Sequence, residues 1–228
     1  MIRAVLTGDI IGSSALLAYR EQVIGYLQDS FRMVGERIDT TEISGHTRFE
    51  MYRGDSFQGI VANPASAVKA AAYIRAHLIS KSVLPDASLD CRLSIGVGEI
   101  EYPHETVGLG EGEAYRLSGL GMEDLKNGKN TFSLIVTEGR SGENRRSKRE
   151  LEVEAALFDG IVQGWTAQQA EAVAYRILGY NQSGIAREIG ISQGSVSRRL
   201  DGARYWAVET FFVRYEEIIA EIVKRNHP

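Results

Sequence analysis

Apolar positions first repeat as short alternating runs broken by helical stretches, and later only at helical spacing. Ile2 to Thr7 is a short apolar run that predicts a strand. A helix beginning at Ser13 or Ser14 then carries Leu16, Leu17, Val23, Ile24, Leu27 and Phe31. Residues 49–53 and 57–62 flank Gly54-Asp55, a hairpin signal. Residues 65–79 form an alanine-rich helical pattern. From Asp90 to Ile100, Cys91, Leu93, Ile95 and Val97 alternate with Arg92, Ser94, Gly96 and Gly98, as a strand requires. A helix at 113–126 and a strand at 132–137 follow. The order βα-ββ-αβ is the split βαβ arrangement of ferredoxin-like folds.

Residues 138–150 contain two glycines, no apolar side chain and a basic cluster, and read as an exposed linker. Beyond them every pattern is helical. Leu151 to Gly164 presents Leu157, Phe158, Ile161 and Val162 on one face. Thr166 can cap a helix that runs to about Leu178, with Gln169 placed for a capping box. Residues 209–223 carry Phe211, Phe212, Tyr215, Ile218, Ile219, Ile222 and Val223 in one stripe. That stripe suits either the core of the domain or the seam of a homodimer, and a homodimer is expected. The predicted class is α+β. A ferredoxin-like domain spans 1–137, and a helical domain spans 151–228.

Within the helical part, 181–201 has the layout of a helix-turn-helix. Asn181 is placed to cap the first helix, and Ile185, Ala186 and Ile189 share one face. Gly190 suits the left-handed residue that ends it. Ser192 caps the second helix, whose Val196 and Leu200 point inward. Ser192, Gln193, Gly194, Ser197, Arg198 and Arg199 are left as candidate contacts to double-stranded DNA, since early residues of such a helix meet base edges. Gln and Arg can read adenine and guanine bidentately. A helical hairpin with a solvated polar face is the plainer alternative.

Composition narrows the choice. The 228 residues carry a net charge of −4, so contact with DNA must come from a local basic patch. The single cysteine, Cys91, excludes an intrachain disulfide and agrees with a reducing cytoplasm. No apolar run has transmembrane length and no signal-peptide pattern opens the chain, so a cytoplasmic location away from membranes is expected.

Two acids stand out in the first domain. Asp9 ends the first strand and Asp55 sits at the hairpin tip, and adjacent strands would bring them to one edge. Paired carboxylates suit Mg²⁺, which takes hard oxygen ligands and keeps phosphate oxygens among them. Gly12, Ser13 and Ser14, at a helix start, can offer backbone N–H groups to a nucleotide phosphate. Both acids equally suit simple turn positions. Glu99 is a weaker third candidate.

Asp9-Ile10-Ile11-Gly12, Gly54-Asp55-Ser56-Phe57 and Gly96-Val97-Gly98-Glu99 resemble the palm of class III nucleotidyl cyclases and diguanylate cyclases. The class III helix motif that pairs an Asn with an Arg four residues later is missing around Arg116. The resemblance therefore implies the fold and an acidic site, without the transition-state residues. A broader resemblance is to the bacterial SatD family. It rests on Thr7-Gly8-Asp9-Ile10-Ile11, residues 54–59, residues 95–100, Gly110-Glu111-Gly112-Glu113-Ala114-Tyr115 and residues 191–200. The chain has Ser56 and Glu113 where that family commonly has Glu and Pro. The family resemblance implies a regulatory protein. The expected function is a DNA-binding regulator whose first domain binds a ligand such as a nucleotide. A Mg²⁺-dependent nucleotide-processing enzyme with a DNA-binding tail is the alternative.

Overall fold

The computed structural model describes residues 1–41, 49–52, 55–81, 89–102, 107, 110–139 and 141–226. Arg53 and Gly54 of the hairpin lie outside these residues. β1 (Ile2–Ile10) is central in the sheet. Alternation buries its Ile2, Ala4, Leu6 and Ile10 on one face and puts Arg3, Val5, Thr7 and Asp9 on the other. β3 (Ser56–Val61) and β4 (Cys91–Tyr102) flank β1, both antiparallel, so that Asp9 faces Ser56 on one side and Arg92 on the other. β2 (Phe49–Tyr52) borders β3. β6 (Phe132–Val136) runs parallel to β4, and the two-residue β5 (Glu111–Gly112) pairs with the far end of β4. The class is α+β.

Helices cover both faces of the sheet. α1 (Arg20–Met33) and α2 (Ala67–Ser80) bury Val23, Leu27 and nearly the whole of α2 against the face that carries Leu6 and Ile95. α3 (Glu113–Asn127) packs on the opposite face. A Cβ at Gly96 would strike the backbone of Ala114 and Ser118, so this glycine lets α3 lie directly on β4. The sequence pattern located β4 but not the cover over Ser94 and Gly96, because small residues under a crossing helix resemble an exposed strand face.

The remaining helices are α4 (Arg145–Val162), α5 (Ala167–Ile177), α6 (Gln182–Ile189), α7 (Gln193–Gly202) and α8 (Tyr205–Asn226). Three features depart from expectation. The segment read as a linker is helical from Arg145, and Asn144 before it is fully buried. Lys148 bonds Glu138 at 2.7 Å, so part of its basic cluster is spent within the chain. The stripe on α8 is no dimer seam: Phe212, Tyr215, Ile218, Ile219 and Ile222 are buried inside the chain. The Tyr215 hydroxyl donates to the Pro64 carbonyl at 2.7 Å, and Phe158 of α4 packs edge-on to Phe132 of β6 and tilted against Phe211 of α8. Finally, Leu157 does not join Phe158 and Val162 in the core but is 66% exposed. Periodicity says which face of a helix is apolar, and not what covers it.

Arg75 joins the two halves. It is 0% exposed on α2 and donates to Asp90 from Nε and Nη2 at 3.0 and 2.7 Å. Its Nη1 donates to Asp159 of α4 at 2.8 Å, and Nη2 also reaches the Thr131 hydroxyl at 2.8 Å. Asp159 in turn accepts the Thr131 backbone N–H and the Gln163 amide. Burial alone would lower the pKa of Arg75, but the two carboxylates outweigh it and hold the guanidinium charged. Arg75→Ala leaves Asp159 buried without its cation and is expected to lower stability by about 3–5 kcal/mol, read from urea unfolding.

His77, also on α2, lies between the rings of Tyr26 and Tyr73, and its Nε2 is buried without a partner. Burial, aided by Lys81, pushes its pKa down to about 4. The unfolded chain binds that proton near pH 6.5, roughly the ordinary histidine value. The stability linked to neutral His77 is therefore complete above that pH and is lost as pH falls toward 4. Urea midpoints measured across this window should fall more steeply for the wild type than for His77→Phe.

Candidate functional site

The pair α6 and α7 is built from local rules that agree with one another. Asn181 is extended, and its Oδ1 accepts the Gly184 N–H at 2.8 Å. Gly190 ends α6 at φ 69°, in the left-handed region, and Ser192 Oγ accepts the Ser195 N–H at 3.1 Å. Ile185, Val196 and Leu200 are buried between the helices. The supports come from elsewhere. Thr166 and Gln169 form a full capping box on α5, and the Trp165 indole N–H donates to the Ala203 carbonyl just after α7 at 2.9 Å. Nothing in the sequence pattern singled out Trp165.

Of the six residues proposed to contact DNA, Gln193, Gly194 and Arg198 lie together on an exposed surface. Arg198 reaches Ser195 Oγ at 3.0 Å, a contact it can exchange for another acceptor. Ser192 is exposed but its oxygen serves as the cap. Ser197 is half-buried and reaches Asp201 at 3.4 Å. Arg199 turns inward to Glu171 of α5 at 2.8 Å, so it positions α7 rather than extending from it. Residues 181–206 hold four arginines against two acids, which makes this surface locally basic in an acidic chain. A polar cleft of about 370 Å³ beside α7 is lined by Gln168, Gln169, Ser195 and Arg198.

The acidic site of the sheet is organised differently from expectation. Asp55 Oδ2 accepts the Ser13 hydroxyl at 2.9 Å, and the Asp55 carbonyl accepts the Ile10 N–H. A cavity of about 230 Å³ opens there, lined by Ile10, Ser13, Ser14, Leu16, Arg20 and Asp55. Arg20 is a cation that the sequence reading missed. Gly12 takes φ 67° and starts a 3₁₀ turn, Ser13–Tyr19, in place of the expected α-helix start. Asp9 is not part of this cavity. It lies on the other face of β1 from Ile10, with Arg92 at 3.5 Å. Asp55 thus lines the cavity and also accepts from Ser56, the residue opposite Asp9, at 3.4 Å, while Asp9 pairs with Arg92. Glu99 is opposite Ile2, seven residues along the strand from the Asp9–Arg92 pair, roughly 23 Å away at 3.3 Å per residue.

Among the described residues no group of three or more acids, histidines or cysteines is arranged to hold a metal. Asp55 alone can ligate Mg²⁺ only where phosphate oxygens and water supply the other ligands. Burial pushes the Cys91 thiol well above its ordinary pKa, which makes it an inert core residue. Also among the described residues, no helix is long and apolar enough to cross a membrane. The chain matches no protein-family model, and it is similar to no curated protein at a significant level.

The two cap bonds on α6 and α7 are testable by themselves. Asn181→Ala and Ser192→Ala should each lower stability by about 1 kcal/mol, measured by thermal or urea unfolding.

Proposed function

We propose that the chain is a bacterial DNA-binding regulator in which α6 and α7 act as a helix-turn-helix and α7 enters the major groove. The observation that carries this reading is the exposed start of α7. Gln193 and Arg198 are exposed there, their side chains bonded among the described residues only to Ser183 at 3.4 Å and Ser195 at 3.0 Å, while Arg199, Trp165 and the cap residues hold the helix from behind. The cleft beside α7 has the polar lining that a phosphate backbone would meet. The resemblance of residues 191–200 and of the N-terminal motifs to the SatD family agrees with a regulatory role.

The first half is proposed as a ferredoxin-like, cyclase-palm-like ligand-binding unit. The strand order β2-β3-β1-β4, antiparallel throughout, is what that fold requires. Its ligand would be a nucleotide whose phosphate end sits at Asp55, Ser13, Ser14 and Arg20, with Mg²⁺ on Asp55. The turn at Gly12 keeps the backbone open to the phosphate. The cyclase-like enzyme is the weaker alternative, because the helix around Arg116 lacks the Asn–Arg pair and Asp9 is engaged by Arg92 at 3.5 Å.

Two outcomes are expected. Arg198→Ala and Gln193→Ala should each weaken binding to a selected duplex by about 1–3 kcal/mol in fluorescence anisotropy. Equal affinities for wild type and both variants would remove the assignment. In thermal shift, Mg²⁺ with a nucleoside triphosphate should raise the melting temperature of the wild type and of Asp9→Asn, but not of Asp55→Asn.

A further inference from the structure

Eight large apolar side chains are exposed among the described residues, and four of them lie on α4 and α8. Val153 and Leu157 are four residues apart on α4. Trp206 and Val213 are seven apart on α8. Each pair therefore shares one helix face. Trp206 is 69% exposed and Leu157 nearly as much. Between the helices an open groove of about 560 Å³ runs over Phe158 and Phe211. This is the outer side of the helix pair whose inner side forms the core, so the chain itself leaves it uncovered.

Three ionisable groups line the groove, and one of them, Arg214, is already paired with Glu150 and Glu217 while lying near Glu154. Glu154 has a carboxylate oxygen that is buried and makes no hydrogen bond. Burial, with Glu150 nearby, raises its pKa. Arg204 is exposed and its side chain has no hydrogen-bond or ion-pair partner among the described residues. Its backbone takes φ 54°, the one non-glycine residue described with positive φ, a conformation unusual for an arginine.

We propose that this face is a two-fold interface between two copies of the chain. An isologous interface must be complementary to itself, since residue i meets j where j meets i. This patch meets that requirement in shape and in charge. It carries a projecting indole and a groove able to receive one, and an unpaired acid and an unpaired base. In the dimer, Trp206 enters the partner's groove and Arg204 meets Glu154 of the partner subunit. A small apolar ligand would fill the groove and leave Val153 and Val213 in water. α8 begins three residues after α7 ends, so pairing at Trp206 would also fix the separation of the two α7 helices. The dimer does not rest on the DNA-binding reading and is tested without DNA.

The test is the mass of the full chain in solution, by light scattering and sedimentation equilibrium at tens of micromolar. The wild type should be a dimer. Trp206→Ala and Leu157→Asp should each weaken it about tenfold or more, as expected for central interface residues. Glu154→Arg and Arg204→Glu should each weaken it, and the double variant should recover it, with circular dichroism confirming that each is folded. The recovery keeps the test decisive even where a single variant unfolds. A monomeric wild type, a dimer indifferent to Trp206 and Leu157, or a double swap weaker than either single one would each overturn the interface.

Discussion

A buried guanidinium holds this structure together. Arg75 sits among the alanines of α2, and its partners come from the approach to β4, the approach to β6 and the last turn of α4. A charge removed from water so completely is stable only when its hydrogen bonds are met, and here two carboxylates and a threonine hydroxyl meet them. The geometry of the network thus fixes where the helical half lies on the sheet. The apolar contacts around it, from Phe132 through Phe158 to Phe211, fill the space but are less particular about register.

The placement of α7 follows from that anchoring. α5 lies along α2, and α7 is tied to α5 through Arg199 and Glu171. Trp165, at the turn between α4 and α5, holds the end of α7 from the other side. The base of the helix pair is therefore held by these contacts while its outward face carries exposed polar groups. Arg37 extends the link, stacking on Tyr180 at 5.7 Å just before α6. The polar end of the sheet, with Asp55 and Arg20, belongs to the same folded body as α7.

Much of this was legible in the chain, and the reasons are local. Asn181, Gly190, Ser192 and Thr166 act through backbone groups within four residues, so their roles could be read from spacing alone. The alternation in 90–100 located β4 for the same reason. Long-range partners were not legible. Asp90, Thr131 and Asp159 lie 15, 56 and 84 residues from Arg75, and nothing in the sequence marks them as a set. The stripe on α8 was visible, but whether the core or a second chain covers it depends on packing. Asp9 and Asp55 looked alike as acids near turns. Their partners, Arg92 for Asp9 and Ser13 for Asp55, lie 83 and 42 residues away, and nothing local announces them.

The central claim is that α7 reads DNA sequence. The most direct measurement exposes the full chain to a pool of random-sequence duplexes, recovers the bound fraction over several rounds and sequences it. The account predicts enrichment of a short motif, arranged as two inverted half-sites where two chains bind together. A pool whose sequence distribution stays unchanged through the rounds would contradict it.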